Sequence, residues 1–198
     1  MDNQVLVVYA TKHGATAEIA EKIGLVLRQA GLSTDVLPTD RVMNLHSSKA
    51  VVLGSAVYMG RWRKEAAKFL KANEKVLAEQ LMWLFSSGPM GEGNPLELTE
   101  GWNFPKALQP IADRIRPGDI AVFQGEVNME KLNFIEKWIF NKVEAPVGDF
   151  RDWDAITSWA TAIADVLKER SPEQRIQNDS IQNKIRSRNQ GNVNDKIS

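Results

Sequence analysis

The chain has 198 residues, with 25 Lys and Arg balanced by 25 Asp and Glu, and no cysteine. That length suits one ordinary domain, with or without an appendage, and is enough to enclose a continuous core. The absence of cysteine excludes a disulfide framework, thiolate metal sites, iron–sulfur clusters and a cysteine nucleophile, so any redox chemistry has to come from a bound cofactor. A formal net charge of zero supplies no field for a polyanion, and no nucleic-acid partner is expected.

The first apolar run, Val5 to Tyr9, is too short for a signal h-region or a membrane span, which predicts a cytoplasmic protein. It lacks clean alternation, as a parallel strand covered on both faces does. Residues 16–30 place Ile19, Ala20, Ile23, Val26 and Leu27 at helical spacing, with Gly31 as the stop. Strands follow at 33–37 and 50–55, a helix at 63–77, a strand at 81–85, a helix at 104–115, a strand at 119–123 and a last helix at 153–168. Five apolar strands alternating with helices predict an α/β sandwich of three layers, with a five-stranded parallel sheet in the middle. Ligands of such sheets bind where the strands end.

Two stretches exceed that plan. Residues 126–150 carry Leu132, Phe134, Ile135, Trp138, Ile139 and Phe140 and read as an inserted amphipathic helical segment within a domain spanning 1–170. Residues 171–198 hold nine Asn or Gln among 28 positions, a composition that reads as a mobile polar tail. The tail carries five Lys or Arg against three Asp or Glu. The remainder is therefore 20 against 22, mildly acidic.

The loop after the first strand reads Thr11-Lys12-His13-Gly14-Ala15-Thr16. Hydroxyls and backbone N–H groups at a helix N-terminus stabilise an anion, and a monophosphate is the natural guest, since neither nucleotide-triphosphate nor dinucleotide spacing is present. The same residues would also serve a helix capped by Thr16 with no ligand at all. Ala56-Val57-Tyr58-Met59-Gly60 follows the third strand, and Ser87-Gly88-Pro89-Met90-Gly91 follows the fourth, in a stretch dense in Gly and Pro whose N–H groups are open to a ligand. The two histidines, His13 and His46, have no metal-ligand spacing and no metal is expected; His46 reads as a surface residue near a helix end. Asp149, Asp152 and Asp154 read as acidic residues at a helix N-terminus rather than a catalytic set, and no catalytic side chain is assigned.

Thr11, Gly14 and Thr16 in that spacing resemble the phosphate loop of flavodoxin-like domains, with His13 standing where Thr is typical. Lys12 after the first Thr, and Glu18-Ile19-Ala20 beyond it, resemble the branch containing the menaquinone-dependent protoporphyrinogen oxidases. The resemblance implies FMN held by residues 11–16, 56–60 and 87–91, with Tyr58 against the isoalloxazine and the 87–91 loop on the opposite side of the ring. Trp62 is expected to pack the following helix. The function implied is an FMN-binding oxidoreductase or electron-transfer protein. Oxidation of protoporphyrinogen IX with menaquinone, and a flavin-free interaction module on the same fold, are the alternatives. The partners left open are a redox partner protein, a quinone or small-molecule substrate, a homodimer, and peripheral contact of 131–142 with the inner face of a membrane.

Overall fold

The computed structural model describes residues 4–88, 91–142 and 146–169, with backbone only at Glu136 and at 139–141. Pro89, Met90 and the polar tail expected over 171–198 lie outside the described residues.

Five parallel strands, β1 (Val5–Ala10), β2 (Thr34–Pro38), β3 (Ala50–Tyr58), β4 (Leu81–Ser87) and β5 (Asp119–Phe123), form a sheet in the order β2-β1-β3-β4-β5. This is the expected α/β sandwich with a five-stranded parallel sheet, and its order reverses between β1 and β3. Because side chains alternate, Val5 and Val7 face one layer while Leu6 and Val8 face the other. On the first face lie α1 (Ala15–Gln29) and the last helix, Trp153–Glu169, packed on Val52, Trp83 and Phe85. On the second lie α2 (Lys64–Ala72) and α3 (Gln109–Ile115), packed on Val51, Leu53, Met82 and Leu84. Phe85, Leu53 and Leu84 are fully buried, each contributing about 1.5–3 kcal/mol over its exposed state.

The ends of the elements have local causes. α1 closes in a Schellman arrangement, with Leu32 N–H donating to Leu27 O at 3.1 Å and Gly31 N–H to Arg28 O at 2.9 Å. Gly31 takes the left-handed conformation this needs. The helix expected over 63–77 is two pieces: Asn73 leaves helical geometry and donates its side-chain N–H to Phe69 O at 2.8 Å, after which a single turn covers Glu74–Leu77. The helix expected over 104–115 begins only at Gln109, because buried Phe104 lies in a bend and Pro105 is extended, followed by a 3-10 turn at Lys106–Leu108. β3 runs three residues past its expected end at 55 and turns back through Met59-Gly60, so that Val57 pairs with Trp62 and Tyr58 with Arg61. Both turn residues have positive φ, the pattern of a two-residue I′ hairpin.

The 126–150 segment is not one helix. Glu126–Val127 pairs antiparallel with Gly148–Asp149, closing a loop that holds a 3-10 turn at Met129–Lys131 and α4 (Phe134–Lys142). The chain then enters α5 (Trp153–Glu169), capped by Asp152 Oδ1 accepting from the N–H groups of Asp154 and Ala155 at 3.0 and 2.9 Å. His46 is exposed in the connection before β3 rather than beside a helix end.

Candidate functional site

A cavity of about 480 Å³ opens at the carboxyl ends of β1, β3 and β4, within the range of small-molecule sites. Its polar end is built by the first loop. Gly14, at φ 98°, turns the chain into α1, and its N–H donates to Thr11 Oγ1 at 3.0 Å. The N-cap of α1 is thus Gly14 and not Thr16, which lies inside the first turn, buried, and still lines the cavity. The N–H groups of Ala15, Thr16 and Ala17 belong to a first turn that has no carbonyl partners within the helix, so this end favours an anion.

The other walls are mostly apolar. Ala56, Val57, Tyr58, Met59 and Gly60 arrive on the end of β3 and its hairpin, and Ser87 and Gly88 on the end of β4. Tyr58 is half-exposed, with Lys12 Nζ 5.5 Å from its ring centroid. Gly88 leaves little room for a side chain: a Cβ there would lie 3.1 Å from both the Cβ and the carbonyl oxygen of Val57, so that β3 would have to give by a few tenths of an ångström. The hairpin is braced from beneath by Trp62, which packs edge-on against Phe104 at 4.9 Å and donates Nε1–H to Ser86 Oγ at 2.9 Å. The expected partner of Trp62 is the following helix; the partners seen here are Phe104 and Ser86.

Of the sequence-predicted cofactor residues, Thr11, His13, Ala15, Thr16, Ala56, Val57, Tyr58, Met59, Gly60, Ser87 and Gly88 come together around this cavity. Lys12, Gly14 and Gly91 do not line it, and Pro89 and Met90 lie outside the described residues. The open N–H groups expected after β4 need one correction, since Gly88 N–H donates to Phe123 O at 3.1 Å. Residues unassigned from the sequence also line the cavity: Thr99 and Trp102 from the long loop after β4, and Gly125, Glu126, Val127 and Asn128 from the segment after β5. Trp102 is legible in hindsight as an aromatic residue in a Gly-rich loop beyond a strand. Its Nε1 lies 3.9 Å from where a Cβ on Gly60 would be, so it stands directly beside the hairpin.

The 126–150 loop is fastened to the polar end by charges. Arg151, only 5% exposed in its side chain, donates Nε–H and Nη2–H to the two oxygens of Asp149 at 2.7 Å each, and Nη1–H to Glu18 Oε2 at 2.7 Å. Lys131 Nζ lies 3.2 Å from Glu126 and 3.8 Å from Glu18. Burial alone would pull the Arg151 pKa down, and the hydrogen bonds with Asp149 and Glu18 outweigh it and raise the pKa further above its already high ordinary value. The same hydrogen bonds hold the Asp149 carboxyl below the usual carboxylate range. Of the three acidic residues expected at a helix N-terminus, Asp152 is the cap, while Asp149 serves this network. Among the described residues no cluster of His, Asp and Glu is arranged to hold a metal ion.

An anion-favouring helix terminus at one end and flat apolar and aromatic walls at the other suit a phosphate-bearing planar aromatic molecule. The model of the flavodoxin domain matches residues 6–154. No curated protein matches the chain. Among solved structures, a flavodoxin from the domain Archaea is 15% identical with a TM-score of 0.55, over 83% of this chain and 99% of that one. A short-chain flavodoxin associated with a non-canonical PDU bacterial microcompartment is 14% identical with a TM-score of 0.56, over 84% and 99%. A metal-soaked flavodiiron core from Synechocystis sp. PCC6803 is 15% identical with a TM-score of 0.56, over 85% of this chain and 36% of that one. The chain belongs to the flavodoxin domain family.

Proposed function

From that membership and from the chemistry of the cavity, we propose that the chain is an FMN-binding oxidoreductase or electron-transfer protein. The observation that carries the reading is the cavity itself, which joins the α1 N-terminus, with Thr11 and Thr16, to the walls formed by Tyr58 and Trp102. The phosphate would be held by residues 11–16 and the isoalloxazine between the β3 hairpin and the loops after β4 and β5. When bound, FMN supplies one-electron or hydride chemistry, while the protein sets its orientation, exposure and electrostatic surroundings. No acid or base from the chain is required for it.

The test is the purified protein's absorption and its uptake of added FMN. A flavin spectrum, lost by about tenfold or more in affinity when Thr11 and Thr16 are both replaced by Ala, supports the reading. A colourless protein that takes up no FMN overturns it and leaves the flavin-free interaction module. A second reading, oxidation of protoporphyrinogen IX with menaquinone as acceptor, is favoured by the apolar wall at Leu132, which continues outward into Phe134 and Ile135. Porphyrin fluorescence appearing on anaerobic incubation with both compounds would support it; FMN reduction without porphyrin formation would exclude it.

A further inference from the structure

Lys12 stands in the middle of the loop that builds the polar end of the cavity, and a lysine among phosphate-binding residues reads most simply as a counter-charge for the phosphate. Its position is a different one. Thr11 Oγ1 accepts from Gly14 N–H at 3.0 Å, and in the turn so closed Thr11 and His13 line the cavity while Lys12 lies outside it, on the exposed side. Lys12 Nζ sits over the ring of Tyr58, 5.5 Å from the centroid, within the distance at which the face of an aromatic ring holds a cation. Tyr58 lines the cavity.

The Tyr58 ring has use for such a support. Its backbone is fixed by pairing with Arg61 in the hairpin, but the residue is 42% exposed, and a ring so placed changes rotamer unless it is restrained. Ordering it only when a planar ligand stacks on it costs affinity, and ordering it beforehand removes that cost. The support is delivered by the sheet: β1 and β3 are paired up to Ala10 and Ser55, so the loop after β1 and the hairpin after β3 emerge side by side and the Lys12 stem bridges them. We propose that Lys12 is a positioning residue for the ring end of the site, holding Tyr58 in the wall against which the isoalloxazine lies, and is not a phosphate ligand. The inference rests on the FMN reading and deepens it. The loop that meets the phosphate thereby also sets the wall that meets the ring, and one side chain couples the two ends of the ligand.

Titration of the flavin-free full chain with FMN and with riboflavin, which has the same ring and no phosphate, tests this. K12M should weaken both by the same factor, about two- to fivefold, and K12R, which keeps a cation over the ring, should recover most of the loss. FMN bound to K12M should fluoresce more strongly than in the parent, because the phenol ring that quenches it is less firmly held. Y58L should weaken FMN binding by itself, and K12M added to Y58L should cost nothing more. A K12M loss confined to FMN overturns the proposal and returns Lys12 to the phosphate. Unchanged affinity and fluorescence in K12M, a K12R loss as large as that of K12M, or losses that add in K12M/Y58L also overturn it. Should riboflavin bind the parent too weakly to titrate, the K12M and Y58L cycle on FMN decides alone. A parent that takes up no FMN overturns the FMN reading and this inference with it, whereas FMN uptake with any of the contrary variant results overturns this inference only.

Discussion

Replacing Arg151 by Met removes the centre of the ion-pair network while keeping an unbranched side chain over Trp153, whose ring centroid lies 4.6 Å from the guanidinium carbon. Breaking a fully buried pair costs about 3–5 kcal/mol because a charge is left without water or partner. Here the stranded groups are only partly enclosed: Asp149 and Glu18 are 44% and 50% exposed and rehydrate, and Glu126 keeps Lys131 at 3.2 Å. Solvent screening therefore discounts the loss, and about 2–3 kcal/mol is expected. For a body of this size that lowers Tm by about 5–10 °C at neutral pH, read by thermal unfolding followed by circular dichroism. The effect has a pH signature. Asp149 has a folded-state pKa below its unfolded value of 3.8, so its contribution is present above that value and is lost as pH falls through it and below. The gap between parent and R151M should be constant from pH 5 to 8 and should close below about pH 4. Arg151 is raised, so its own contribution would disappear only in strong alkali. A Tm change under about 2 °C at pH 7, or a gap that persists in acid, refutes this account of the network.

Three other substitutions separate the supports of the cavity. In G54A the new Cβ would sit 1.9 Å from Phe85 Cζ, and the fully buried Phe85 ring has no open space to move into; a loss of about 3 kcal/mol in urea unfolding is expected, and less than about 1 kcal/mol would mean that the core yields there. W62F removes the donor to Ser86 Oγ and should cost about 1–2 kcal/mol, with near-ultraviolet circular dichroism reporting the lost edge-on pair with Phe104. M59N should stabilise by about 0.5–1 kcal/mol, because Asn adopts the left-handed conformation held by Met59 at φ 50° more readily; a loss of stability on chemical unfolding would show that the Met59 side chain contributes more than its exposed position suggests.

The sheet was legible because each strand is a short β-branched or apolar run bounded by breakers, and burial on both faces leaves no room for anything else at Val51, Val52 or Leu84. The helices were legible where an apolar stripe is uninterrupted, as in α1 and α5. They were misjudged where a side chain competes locally for backbone groups, as Asn73 does at Phe69 O, or where Pro105 delays the start. The site divides in the same way. Residues 11–16, 56–60 and 87–88 follow strand ends directly, so the strand assignment alone delivers them to one place. Trp102 reaches the cavity fifteen residues after β4 ends at Ser87, by a return path that no period encodes.

Arg151 shows why the remainder could not be read. Its partners are Asp149, two residues away, and Glu18, 133 residues away. In sequence the former looks like an ordinary local charge pair and the latter like an acidic residue suited to the first turn of a helix. Only the fold reveals that these are the two halves of one junction, in which Glu18 carries its negative charge close to the terminus where a phosphate would sit. An unneutralised carboxylate there would oppose the anion. Arg151 and Lys131 both lie against Glu18, so the segment that walls the cavity after β5 also supplies the cations that pair with the carboxylate nearest the α1 terminus. The segment that departs most from a minimal five-stranded plan is thereby tied to the binding end of the fold by charge as well as by the apolar contact of Leu132.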